Sequence, residues 1–259
     1  MNKRFLSLLC FPLLLLSCGG NDATRADEMA TPEEVMTSEE DVVLSGDGEW
    51  TDLLAGGNLD AWHKYGSDEA GAAWKIDQDG VLYLDTGNKD GHSVVGGGDI
   101  VTDQDYSNYE FELEWKIGEC GNSGIIYNIV ESDDYDYAWL TGPEMQVLDN
   151  SCHPDAKIEK HRAGDLYDMI SAKPENVKPA GQWNSVRIVN DNGYIEHWQN
   201  GEKVLSYTAE GEPWKAMIAN SKFKDYADFG TSTSGKLGLQ DHGDPVWFRN
   251  IRIRELSSK

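Results

Sequence analysis

An all-β sandwich is the fold this sequence predicts, on three observations. Residues 109–117 alternate strictly between apolar and charged, short apolar patterns recur between glycine and asparagine turns, and helical character is confined to one stretch near residue 213. Strict alternation marks a strand with one buried and one wet face, and many short strands with turn signals define sandwiches and barrels. The 27 glycines fit a chain with many tight connections. Nothing repeats at a fixed period, which argues against a propeller or solenoid.

The elements follow in order. A strand is expected at 81–85, then the clearest one at 109–117, where Tyr109, Phe111, Leu113, Trp115 and Ile117 alternate with Glu110, Glu112, Glu114 and Lys116. Further strands are expected at 124–130, 144–148, 185–190, 194–199, 203–207, 236–240 and 246–254. Asn192-Gly193 and Asn200-Gly201 are dipeptides that favour tight hairpins, so 185–207 reads as an antiparallel meander. In the last strand Val246 and Phe248 hold one register and Ile251 and Ile253 the other, which places a bulge near Arg249 and Asn250. The helix is expected at 213–222, with Pro213 in its first turn.

The first 17 residues read as a processing signal: Lys3 and Arg4, an apolar run, then Leu15-Leu16-Ser17-Cys18, which resembles a lipoprotein cleavage site with Cys18 as the lipidated residue. The run is too short for a membrane span, which needs about 20 apolar residues. Residues 18–48 are small, acidic and polar, a solvated tether unable to bury a core. The folded domain is expected at 49–257, in a cell-envelope protein that meets the membrane through lipid alone. The formal net charge is -24, and loss of Lys3 and Arg4 with the signal takes it to -26. That sign argues against nucleic acid and anionic lipid surfaces as partners. Of four cysteines, Cys10 leaves with the signal and Cys18 carries lipid, so Cys120 and Cys152 form an even pair, expected as a disulfide in an oxidising compartment.

Several segments carry possible chemistry. In Gly142-Pro143-Glu144-Met145-Gln146-Val147-Leu148-Asp149, Met145 and Val147 point to the core, so Glu144 and Gln146 share the opposite face. A bulge at Leu148 would return Asp149 to the side of Glu144. In Gly121-Asn122-Ser123-Gly124 the glycines permit close backbone approach, and Asn122 and Ser123 offer neutral hydrogen bonds. Gln240-Asp241-His242-Gly243 ends a strand, with Gln240 and His242 on one face and an imidazole suited to proton transfer. His153 and His161 share a loop with Asp155 and Glu159, and each is a zinc ligand, an acid–base group or a surface histidine. No zinc motif, phosphate loop, dinucleotide fingerprint or nucleophile elbow is present. No metal site and no cofactor are expected, with a divalent metal left open. Nine tryptophans in an acidic exported domain suggest sugar stacking, Trp198 among them.

Taken in order, Leu53-Leu54-Ala55-Gly56-Gly57-Asn58-Leu59-Asp60-Ala61-Trp62, Asn122-Ser123-Gly124-Ile125, the segment 142–149, Pro179-Ala180-Gly181-Gln182-Trp183-Asn184, His197-Trp198-Gln199-Asn200-Gly201, Gly238-Leu239-Gln240-Asp241-His242-Gly243 and Phe248-Arg249-Asn250-Ile251 resemble the 3-keto-disaccharide hydrolase family. The resemblance implies a concanavalin A-like jelly roll of two curved antiparallel sheets. It implies cleavage of glycosides already oxidised at carbon 3, a substrate that a separate oxidoreductase must supply. The ketone acidifies the carbon 2 proton, a base removes it, the anomeric substituent leaves by β-elimination, and water addition completes a net hydrolysis. Such a site needs a base, a donor to the enolate oxygen and an acid.

Glu144 and His242 are therefore expected as proton acceptor and donor, in unassigned order. Asp149 is expected to orient them within the catalytic set. Asn122, Ser123, Gln146, His153, His161, Trp198, Gln240 and Asp241 are expected to contact substrate. A non-catalytic sugar-binding module and a conventional glucanase on the same fold are the competing readings. Gln146, where the glucanase strand motif wants Asp, counts against the latter.

Overall fold

The computed structural model describes residues 48–90 and 93–257. The expected signal, Cys18 and all of the tether but Gly48 lie outside the described residues. Among these the strands are β1 (Thr51–Asp52), β2 (Trp62–Lys64), β3 (Trp74–Ile76), β4 (Leu82–Leu84), β5 (Lys89–Asp90), β6 (Ser93–Val94), β7 (Ile100–Thr102) and β8 (Tyr109–Ile117). There follow β9 (Asn122–Ile129), β10 (Glu144–Leu148), β11 (Asn184–Asp191), β12 (Tyr194–Gln199), β13 (Glu202–Thr208), the helix α1 (Gly211–Ala219), β14 (Lys236–Leu239) and β15 (Val246–Glu255).

Two antiparallel sheets form the sandwich. The larger runs β13-β12-β11-β8-β15-β4-β3, with β1 added on β15, and the smaller runs β10-β9-β14-β7-β2. Strand β8 shows why the pattern folds this way. Tyr109, Phe111, Leu113, Trp115 and Ile117 are all buried in the core, and Glu112, Glu114 and Lys116 are only partly covered on the other face. Glu110 is the exception: an acid that is 2% exposed. Arg254 pairs with it directly, and the Arg187 guanidinium lies 3.7 Å away, so the buried charge is compensated. Arg249 and Arg252 pair with Glu114 and Glu112 at 2.5 and 2.6 Å, continuing the row of cross-strand pairs.

The expected bulge in the last strand is present. The pairing of β15 with β8 shifts between Arg249 and Arg252, and Asn250 adopts φ 53°. The extra residue lets Val246, Phe248, Ile251 and Ile253 all reach the core while the arginines stay outside. The meander at 185–207 is β11-β12-β13, paired in sequence. The helix begins two residues earlier than expected and ends at Ala219, because Ser221 caps a separate 3-10 turn, Lys222–Asp225, by accepting from the Phe223 N–H. Lys222 is thereby detached from the helix, and that places it in the site described next.

Candidate active site

The site lies on the face of the five-stranded sheet turned away from the core. On β10, Met145 and Val147 are fully buried in the core, which leaves Glu144 and Gln146 on the outer face, as their spacing predicts. On β9, Ser123, Ile125 and Tyr127 face inward while Asn122 and Gly124 face outward beside Gln146 and Leu148. Gln240, just after β14, donates its backbone N–H to the Gly124 carbonyl at 3.0 Å. Asn122, Glu144, Gln146, Gln240 and His242 together line one cavity of about 300 Å3.

The remaining walls come from long connections. The loop after β10 returns along that strand's free edge: Gln146 N–H donates to the Asp165 carbonyl and Tyr167 N–H to the Glu144 carbonyl, both at 3.0 Å. Tyr167 is thereby seated beside Glu144. Asp168, with φ 62°, turns its carboxylate outward. One oxygen meets His161 Nε2 at 2.8 Å and the other accepts the Lys222 N–H at 2.6 Å. This tie brings Lys222 over the cavity, with Nζ 3.8 Å from the centre of the Tyr167 ring. Trp139, Phe223 and Tyr226 close the apolar side, with Trp139 edge-on to Tyr226 at 5.4 Å.

The electrostatics follow from this enclosure. Burial pushes Glu144 up from its ordinary 4.5 to about 8, against the opposing pull of the Lys222 charge, and Asp99 adds to the rise. Gln240 Nε2 donates to its carboxylate in a long contact of 3.4 Å. Its carboxyl lies where a Cβ at position 124 would be, so Gly124 is what lets Glu144 fold flat over β9. Burial likewise lowers Lys222 below the usual lysine range, although Glu144, Asp168 and Asp155 hold it up. A reluctant anion and a reluctant cation share one small space.

Of the other expected residues, Asn122 is 5% exposed, lines the cavity, and carries an Oδ1 with no hydrogen-bond partner in the protein, an acceptor free for a substrate hydroxyl. His153 lies at the next opening, its ring 6.5 Å from that of His242, and its Nδ1 accepts the Asp155 N–H. The structure does not bring the rest to the cavity. Asp149 is the main departure, because β10 pairs regularly with β9 through Leu148 and no bulge returns it. Its carboxylate instead accepts from Cys120 N, Ser151 N and Ser151 Oγ at 2.7–3.0 Å, contacts that outweigh burial and hold its pKa below the usual range. It fixes the turn that the Cys120–Cys152 disulfide spans. Among the described residues these three are the one grouping of metal-type donors, and its sulfurs are bonded to each other.

Ser123 is fully buried and donates to the Gln240 carbonyl, so it ties strands together. Asp241 is spent on backbone, accepting from Val94 N and Gly98 N while its own N–H donates to Asp99. His161 stands behind Tyr167, ring centres 4.3 Å apart, and orients the wall rather than lining it. Trp198 belongs to β12 in the other sheet, where Arg187 stacks on it at 4.2 Å. Lys222, Tyr167, Trp139 and Tyr226 were not among the residues singled out in the sequence. They sit on irregular segments, and no pattern there distinguishes them.

The molecule is a jelly-roll sandwich whose smaller sheet is lined by one enclosed cavity, with Glu144 and Lys222 on its walls. The chain belongs to the 3-keto-α-glucoside-1,2-lyase-like domain family, whose sequence profile matches residues 49–254. It is 36% identical to a 3-keto-disaccharide hydrolase of Bacteroides thetaiotaomicron, over 99% of this chain and all of that protein. It is similar in structure to two Parabacteroides distasonis proteins described as candidate glycosyl hydrolases. One has 34% identity and a TM-score of 0.72, over 80% of this chain and 94% of that one. The other has 27% identity and a TM-score of 0.61, over 80% of this chain and all of that one. A Bacillus subtilis protein with a galectin-like fold, 12% identical with a TM-score of 0.51 over 82% of this chain and 96% of that one, shares the fold alone.

Proposed function

We propose that this protein cleaves glycosides oxidised at carbon 3, with Glu144 as the base that starts a β-elimination. The observation that carries the reading is the enclosure of Glu144, pushed up to about 8, beside Lys222 in a cavity of about 300 Å3. A carboxylate of raised pKa is a stronger base, and its proton affinity suits a carbon acid next to a ketone. Glu144 takes the carbon 2 proton, and the electron pair moves toward the carbon 3 oxygen. The Lys222 ammonium, close enough to sense Glu144, stabilises the enolate that forms. Reformation of the ketone expels the anomeric oxygen, breaking its bond to carbon 1 and leaving a double bond between carbons 1 and 2. His242, on the same cavity, protonates the departing oxygen. Water added across that double bond places hydroxyl on carbon 1 and a proton on carbon 2, and the sum is hydrolysis.

Two features disfavour the competing readings. A conventional glycosidase needs a pair of carboxylates across the scissile bond, and Glu144 is the one carboxylate among the described residues that line this cavity. A module that only binds sugar gains nothing from a desolvated glutamate, which costs stability without adding a hydroxyl contact. Glu144→Gln is expected to lower kcat/KM on a 3-keto-glycoside by about 10² to 10⁴ while the fold is kept. Unchanged turnover in that variant would remove Glu144 from the chemistry.

The chain is further proposed to be held at the cell envelope by lipid on Cys18, supported by the Leu15-Leu16-Ser17-Cys18 pattern. Cys18→Ala protein should move to the aqueous phase in a detergent partition, and retention in the detergent phase would refute the anchor.

A further inference from the structure

Beside the catalytic cavity lies a second and larger one, of about 1260 Å3, and the two share Trp139, Gln240 and His242 as a common wall. The smaller cavity has the size for one sugar ring. The larger opens from the wall that carries the proposed proton donor, so a group leaving carbon 1 departs into it. Its floor is aromatic: Tyr137 stacks on Trp139 with ring centres 5.8 Å apart and planes 14° apart. Tyr137 is 56% exposed, so a face of its ring is open to a ligand in the cavity. Its rim is negative. Asp68, Asp133 and Asp136 line it and are exposed, and none of them has an ion pair among the described residues; these three acids face one lysine, Lys64, on the same lining, so the balance is negative. Glu131, on the same wall, is already committed to His63 at 2.8 Å and to the Gly66 N–H at 2.7 Å.

Resting on the function proposed above, we infer that this second cavity is the leaving-group subsite, that it stacks a sugar ring on the Tyr137–Trp139 shelf, and that it selects neutral or amino-bearing leaving groups over anionic ones. An aromatic shelf gives affinity to any pyranose through its C–H face. The unpaired aspartates then set the sign: a uronate, sulfated or phosphorylated sugar meets repulsion at the rim, whereas a hydroxyl finds acceptors and an ammonium finds counter-charge.

The test is calorimetric titration of the Glu144→Gln protein, whose turnover is slowed enough for binding to be read. The ligands share one 3-keto-glucosyl unit and differ in the leaving group: methanol, glucose, glucosamine or glucuronate. The glucose and glucosamine compounds should bind about tenfold or more tighter than the methyl compound. The glucuronate compound should bind no tighter than the methyl one at low salt, and should recover most of the difference when Asp133→Asn and Asp136→Asn are added. Tyr137→Ala should erase the advantage of glucose over methyl. Equal binding of methyl and glucose compounds, or a glucuronate compound as tight as the glucose one, overturns the subsite while leaving the catalytic reading intact. Failure of even the methyl compound to bind, together with no turnover of it by the native protein, removes the catalytic reading and the subsite with it.

Discussion

Glu144 and Lys222 carry opposite formal charges, and burial pushes each toward its neutral form. With a pKa of about 8, Glu144 is ionised in only about one tenth of molecules at pH 7. Turnover should therefore rise with pH as the base ionises, with an acid limb near pH 8, and should fall again once Lys222 loses its proton. A pH profile of kcat/KM checks this: an acid limb in the ordinary carboxylate range near 4.5 would show that some other acid is the base. Lys222→Met removes the charge that meets the enolate and should cost about 10² to 10³ in kcat, the usual loss for one oxyanion donor. Part of this arrangement was legible in the residues. The alternation of Glu144 and Gln146 against Met145 and Val147 placed Glu144 on the outer face, and the two-residue spacing of Gln240 and His242 placed both on one wall. Lys222 was not legible, because what positions it is Asp168, 54 residues earlier in the chain, through a backbone hydrogen bond. Asp149 was misplaced for a related reason: its carboxylate is consumed by the turn around Cys120, and local spacing cannot reveal such a competing partner.

At the scale of elements, β9 and β10 form a template on which the site is printed. The carboxyl of Glu144 rests on the backbone of Gly124, its outward neighbour across the β9–β10 ladder. Gly124→Ala should push that side chain out of the cavity and cost about tenfold or more in kcat/KM, since misplacement by an ångström can cost 10²-fold. Circular dichroism should remain that of the native sandwich, and full activity in this variant would mean that Glu144 need not lie flat. The Cys120–Cys152 disulfide closes a separation of 32 residues that contains β9 and β10. Its removal by paired serine substitution should destabilise the protein by about 2 to 4 kcal/mol in a denaturant titration. Strand patterns announced these elements because the period is local. The loop from 149 to 183 carries no period, yet its Tyr167 and Asp168 seat two walls of the cavity. Trp198 shows the same limit in reverse: β12 was recognised as a strand, but which sheet it joins is a property of topology, and the strand lies in the larger sheet, away from the site.

For the whole molecule, three carboxyls whose pKa is raised shape the response to pH. Burial raises Glu144 to about 8, Asp99 to about 7 and Asp165 to about 6, all above their values in an unfolded chain. The folded state therefore holds protons that the unfolded state has released. Their contribution to stability is fully present below the ordinary carboxylate range and is lost as pH rises through 6, 7 and 8. The thermal midpoint should fall across that window, and Glu144→Gln with Asp99→Asn should flatten the fall. A midpoint unchanged across it would show that these groups ionise freely in the fold. The acidic surface, with a formal net charge of -24, adds self-repulsion that salt should relieve. On the proposed function, catalysis and stability pull in opposite directions on Glu144, the pattern of an active site that retains a desolvated base.

The central claim is that cleavage begins with removal of the proton on carbon 2, and one measurement reaches it directly. The native protein is supplied in heavy water with a 3-keto-glycoside, and the released 3-keto sugar is examined by proton NMR at early times against the same sugar incubated without protein. Departure of the leaving group opens Glu144 to solvent, where its captured proton exchanges before water adds, so elimination followed by hydration predicts solvent deuterium at carbon 2 of the product, well ahead of any exchange in the control. Release of the sugar with its original carbon 2 proton intact would contradict the account and point to direct displacement at carbon 1.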